Sequence, residues 1–295
     1  MNYIPGWVQD DEAVGEIAML QAQPVFGMTE AGQVSESELP ENVFLWKFYE
    51  QVTGKSWPIW NQGQIGSCVS FGTCAAITAT IAAQRVKGDK TEIPELVQEE
   101  IYGGARVEIG KKRIKGDGAV GAWGAECAKQ YGVIDRGIHG TYDLSKYDEK
   151  RCKAWGDTGI PDDLEPTCRQ HLVNGITLVR SWADARKALA SGYGISVSSS
   201  RGFKMTRDKD GFCAPSGTWM HCMSIIGYRG GSRPGGFILN SWGASAHTGP
   251  IGLGDGPKSG FWAEDSVVDY MLRQGDSWAF SNATGFPVRK LDWVI

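Results

Sequence analysis

Apolar and small side chains after residue 67 recur at helical spacing. Phe71, Cys74, Ala75, Thr78 and Ala82 follow an i, i+3, i+4 rhythm, which predicts a buried helix from Cys68 to about Lys87. Ser67 is placed to cap its start and Gly88 to close it. Two more helices are expected, over Pro94 to about Val107 and over Gly121 to Tyr131, the second stopped by Gly132. Near residue 175 the pattern changes. Ile176–Val179, Ile195–Ser198, Met223–Tyr228 and Phe237–Asn240 are short strand-like runs between glycine turns, with a helix over Trp182–Ser191 after the first. A helical half followed by a β-rich half predicts an α+β fold. Ahead of both, residues 1–38 read as an irregular arm. Asp10 to Leu20 has helical periodicity that Pro24, Gly27 and Gly32 then break. The aromatic-rich residues 43–60 are expected to pack on the body.

The 295 residues suffice for one large domain or two modest ones. The expected division is an arm over 1–38 and a body over 39–295, with its helical lobe at about 62–175 and its β-rich lobe at about 176–295. Forty glycines, about twice the usual share of roughly 7%, predict many tight turns. The net charge of −4 gives no reason to expect nucleic acid as a partner. Residues 1–46 hold eight acids and no Lys or Arg, so an acidic arm precedes a mildly basic body. Such an arm suits contact with a basic surface, of this chain or of a protein partner. No apolar run reaches the roughly 20 residues of a membrane helix, and no targeting segment is visible. The expected setting is therefore cytoplasmic, or within a larger assembly such as a virion. The seven cysteines are expected to stay reduced.

Candidate chemistry lies in three segments. The run from Asn61 to Cys68 puts the amide of Gln62 six positions before a cysteine at a helix start. Unsatisfied N–H groups and the helix dipole there favour a thiolate, the nucleophilic form. His221 follows Cys68 by 153 positions, and Asn240 follows His221 by 19, within Asn240-Ser241-Trp242-Gly243. Together they offer a nucleophile, a base and a group to orient it. These three ordered segments resemble those of the papain-like cysteine peptidases, over about Leu39 to Trp262.

The resemblance implies a two-lobed α+β fold with the active-site cleft between the lobes. It implies catalytic roles for four residues. Cys68 is the nucleophile, ion-paired with His221 as base, and Asn240 orients His221. Gln62 and the Cys68 N–H donate to the oxyanion. It also implies that Trp242 shields the His221–Asn240 hydrogen bond, and that Gly66, Gly118 and Trp242 border the substrate. No metal or organic cofactor is required, and the partner is a peptide or protein substrate. Several positions depart from the family pattern. Val69 replaces the usual Trp, and Met220 precedes the His. The paired glycines that meet the substrate backbone fall near Gly118-Ala119-Val120, which puts pairing there in question. Ile65 and Asp117 stand where many members have a disulfide. Ala244 to Ser259 is glycine-rich and unmatched.

Other signals are weaker. Gly116 to Gly121 fits a dinucleotide fingerprint but follows a charged run instead of a buried strand. Cys152, Cys168 and His171 have a loose metal-like spacing without an obvious fourth ligand. Asn282-Ala283-Thr284 is a glycosylation sequon that only secretion would use. The reading is a cysteine-type hydrolase of peptide bonds. Its rivals are a non-enzymatic papain-like docking module and an isopeptidase or transferase using the same groups. The arm is expected to dock or pack, and not to inhibit.

Overall fold

Small side chains let the central helix run through the middle of the molecule. In this computed structural model, which describes residues 4–86 and 93–293, helix α3 spans Cys68–Arg85 and is buried on nearly every side. Its expected end at Lys87 and closure by Gly88 lie outside the described residues. Ser67 occupies the N-cap position, but its side chain makes no capping bond.

In chain order the elements are α1 (Asp11–Met19), β1 (Asn42–Phe44), α2 (Leu45–Thr53), α3, α4 (Gln98–Gly103), α5 (Gly121–Gln130), β2 (Ile138–His139), β3 (Tyr142–Asp143) and α6 (Glu149–Thr158). There follow α7 (Glu165–Cys168), β4 (Gly175–Leu178), α8 (Trp182–Ala190), β5 (Ile195–Phe203), β6 (Pro215–Arg229), β7 (Gly235–Leu239), β8 (Gly260–Glu264), α9 (Asp265–Leu272) and β9 (Asp276–Ser281). The helix expected over 94–107 is shorter. It begins at Gln98 and passes into a π-helical turn over Gly104–Ile109.

Seven strands form one antiparallel sheet in the order β4-β9-β5-β6-β7-β8, with β1 added to β6. Helices α3, α4, α5 and α6 pack together as the opposing lobe, and α3 lies against β5 and β6. The fold is thus α+β and two-lobed. An aromatic cluster joins β1 and α2 to the sheet. The rings of Trp46 and Phe237 lie 4.6 Å apart, and Trp262 stands edge-on to Phe237 at 5.2 Å. Phe237 is fully buried, with Gly256 and Gly260 against its ring. Phe237→Ala is expected to cost about 3–5 kcal/mol of stability in denaturant unfolding. A loss below about 1 kcal/mol would mean that this cluster does not hold the sheet.

The arm packs on the chain's own body. Val14, Phe26 and Ala31 are buried in the core, and the Arg186 guanidinium meets the Glu36 carboxylate at 2.8 Å. No helix among the described residues is long and apolar enough to cross a membrane.

Candidate active site

Two close approaches between the lobes assemble the site. The first is at Gly72 in α3. The Ser224 hydroxyl donates to the Gly72 carbonyl at 2.6 Å, and a Cβ at Gly72 would sit 2.7 Å from the Cys222 sulfur. Only a glycine lets β6 come this near the helix. That proximity lets the Cys222 N–H donate to Cys68 Sγ at 3.3 Å, one residue along the chain from His221. The second joins the loop before α3 to the segment after β7. Gln62 N donates to the Ser241 carbonyl at 2.9 Å, and Gly243 N to the Trp60 carbonyl at 3.0 Å. This pairing sets Gln62 beside Asn240, Ser241 and Trp242.

The four expected catalytic side chains are thereby gathered. His221 Nε2 lies 2.9 Å from Asn240 Oδ1, and the Trp242 ring stacks on the His221 ring with centroids 4.3 Å apart. Trp242 thus covers the imidazole from one face. Asn240 Oδ1 also accepts from Ser241 N at 2.7 Å. The Gln62 amide is held at both ends. Its Oε1 accepts from the Ser241 hydroxyl at 2.7 Å, and its Nε2 donates to the Ile65 carbonyl at 2.9 Å. His221 Nδ1 is buried with no hydrogen-bond partner. An imidazole whose Nε2 faces an amide oxygen carries its proton there, which leaves Nδ1 free to accept one.

The start of the arm lies in the cleft. Gln62 Nε2 donates to the Ile4 carbonyl at 2.8 Å. Gly6 N and Trp7 N donate to the Met220 carbonyl at 3.0 and 2.9 Å. Ala119 N donates to the Gly6 carbonyl at 2.9 Å, and Val8 N to the Ala119 carbonyl at 3.0 Å, so this segment runs parallel to that of Ala119. The Trp7 side chain is buried, and its indole N–H donates to Asp276 Oδ2 at 2.8 Å. Gly121 N and the Trp278 indole donate to the same carboxyl group. Burial raises the pKa of Asp276 against those donors. The passage is tight, because a Cβ at Gly6 would come within 2.0 Å of the Gly66 carbonyl oxygen.

Three expectations change. The sequence argument predicts a thiolate at Cys68 paired with an imidazolium. In the arm-covered site burial pushes the Cys68 thiol up to about 12, although the N–H groups of Cys222, Gly6, Val69 and Cys68 itself pull the other way. Burial takes His221 down to about 4, opposed by its bond to Asn240. Both groups are therefore neutral here, because loss of water outweighs the helix start. Next, near Gly118 it is Ala119 whose main chain pairs, and its partner is the arm. Gly118 touches the arm, but its N–H goes to the Tyr102 hydroxyl and its carbonyl to Arg106. Main-chain atoms do this work, so an alanine serves. Finally, the arm packs on the body but also covers Cys68, where an arm that docks or packs without inhibiting was expected. Gly66 lies against the arm segment, with Pro5 and Asp117 beside it.

All seven cysteines are free and buried. Among the described residues no group of three or more His, Cys, Asp or Glu side chains is placed to hold a metal ion.

No family model matches the sequence, and no curated protein does. Solved structures do match. Xylellain, a cysteine protease from Xylella fastidiosa, superposes with a TM-score of 0.62 at 17% identity, covering 96% of this chain and 99% of that one. The fold is that of the papain-like cysteine proteases. A procathepsin B from Trypanosoma congolense matches with a TM-score of 0.56 at 11% identity, over 96% of this chain and 86% of its own. A digestive procathepsin L from the larval midgut of Tenebrio molitor matches at 0.51 and 15% identity, over 92% and 78%. Within this papain-like fold His247 and Asp276 are polar residues at the site that sequence reasoning missed. His247 sits in the unmatched stretch after Gly243, and nothing in the spacing marked Asp276.

Proposed function

We propose that the chain is a cysteine peptidase in a latent form, with residues 4–8 in its cleft and Cys68, His221, Asn240 and Gln62 as its catalytic set. One observation carries the reading. The cleft holds an extended peptide by its main chain, with one peptide carbonyl on the Gln62 amide. A substrate carbonyl held there meets the donor that an oxyanion needs. Similar structures that are proforms support the latent part of the reading.

With the arm displaced, water returns to the site and the cause of both pKa shifts is removed. The Cys68 proton passes to His221 Nδ1, and the thiolate attacks the peptide carbonyl carbon. The C=O bond becomes an oxyanion facing Gln62 Nε2. Collapse breaks the C–N bond as His221 gives its proton to the leaving amine. Water, deprotonated by His221, then hydrolyses the thioester and restores the thiol. Asn240 holds the His221 proton at Nε2 throughout.

Gln62→Ala is expected to lower kcat on the order of tenfold to a thousandfold and to change KM less, because the donor acts on the transition state. Steady-state kinetics on a chain whose arm has been displaced measures this. An unchanged kcat would remove Gln62 from the mechanism.

A further inference from the structure

Behind the proposed catalytic set lies a second histidine. His247 is buried, in the stretch between Gly243 and β8, and its Nε2 lies 3.1 Å from Asn240 Nδ2. Its Nδ1 lies 3.7 Å from Cys213 Sγ. We propose that His247 is a positioning residue that acts through Asn240, accepting the amide N–H and so holding the amide oxygen on His221. This rests on the catalytic reading above.

Donors and acceptors fix the tautomer of His247. An amide NH₂ can only donate, so the His247 Nε2 facing it must be the bare nitrogen of a neutral ring. The His247 proton then sits on Nδ1, toward the Cys213 sulfur. Asn240 is specified at both ends. Its nitrogen meets His247, and its oxygen meets His221 Nε2 and Ser241 N. If His247 were protonated, Nε2 would present an N–H to an NH₂ group. The amide would be driven to turn over, and its nitrogen would face His221 Nε2. The His221 proton would then move to Nδ1, the atom that must accept one from the thiol.

The surroundings keep His247 neutral. Arg207 is buried beneath it and donates to the carbonyls of His247, Gly249, Lys258 and Gly260. A guanidinium fixed there disfavours a second cation. Burial first, then Arg207 and then His221 take the His247 pKa down to about 3. The Phe261 ring packs on the imidazole with centroids 4.5 Å apart, so the ring plane is fixed as well.

The test is nitrogen-15 NMR of the four histidines in the full chain, assigned by single substitutions. At about pH 7 His247 is expected to be neutral with its proton on Nδ1, and His221 neutral with its proton on Nε2. An imidazolium at His247, or its proton on Nε2, overturns the proposal without any variant. His247→Phe removes the acceptor. It is expected to speed solvent exchange of the His221 Nε2 proton at least about tenfold, whereas His247→Gln, whose amide oxygen can accept, keeps it slow. Equal exchange in both variants overturns the proposal. These readings need no turnover, so they stand apart from any failure of the peptidase reading. Where an arm-displaced chain hydrolyses peptide, His247→Phe should lower kcat about tenfold with little change in KM. In an Asn240→Ala background it should have no further effect. An additive loss there would make His247 merely structural.

Discussion

Displacing residues 4–8 from the cleft is expected to raise the alkylation rate of Cys68 on the order of a hundredfold or more at pH 6. Two full-chain variants do this with the rest of the arm in place. Gly6→Val puts a side chain where even a Cβ would lie 2.0 Å from the Gly66 carbonyl oxygen. Trp7→Ala removes a buried indole and its bond to Asp276. Emptying such a pocket costs about 3–5 kcal/mol, and each 1.4 kcal/mol is roughly tenfold in the open population. A thiol at about 12 is almost entirely protonated at pH 6, whereas an opened thiol beside His221 gains water and an imidazolium partner. Truncation at Leu39 is a poorer test, because it also removes Val14, Phe26 and Ala31 from the core. Iodoacetamide labelling with mass mapping reads the result, and Cys74 and Cys127 in the helical lobe serve as internal controls. Labelling of Cys68 no faster than in the wild type would show that the arm does not guard it. Simultaneous labelling of all seven cysteines would report unfolding instead.

Cys68→Ala in the Gly6→Val chain is expected to abolish peptide hydrolysis, at least about a thousandfold in kcat, with the unfolding midpoint little changed. The sulfur is met by backbone N–H groups, Cys222 N at 3.3 Å among them, and α3 keeps its other contacts. His221→Ala should lose nearly as much, because the proton would have no acceptor beside the sulfur. Retained turnover in Cys68→Ala would move the nucleophile elsewhere. Wild-type-like inactivity of the Gly6→Val chain itself, with Cys68 fully labelled, would favour a docking module built on this fold.

Local pattern was enough for the elements that carry the site. Helix α3 begins at Cys68 and α5 at Gly121 as expected, because their apolar spacing and flanking glycines are local signals. The runs around residues 176, 195, 223 and 237 all lie in strands. Helix α6 was missed because its stretch from Glu149 to Thr158 is mostly polar, and its buried side is only Cys152, Trp155 and Gly156. Cys68, His221, Asn240 and Gln62 could be picked out as candidates because they sit in three short motifs, Gln62 and Cys68 sharing one. The covering of the cleft could not. Trp7 reaches Asp276 across 269 positions, and neither residue belongs to a periodic run. The neutral Cys68 of the covered site has the same cause, because residues 4–8 remove water there and burial outweighs the helix start. His247 lies among glycines with no pattern around it, so its role is visible only once Asn240 is in place.

The most direct measurement is to trap an acyl-enzyme. The Gly6→Val chain is mixed with an activated peptide ester, quenched in acid within the first turnover and digested for mass mapping. A thioester on Cys68, absent from the wild-type chain at short times and from Cys68→Ala at all times, is the predicted result. A folded Gly6→Val chain that turns over the ester with no adduct on Cys68, or with the acyl group on another residue, would contradict it.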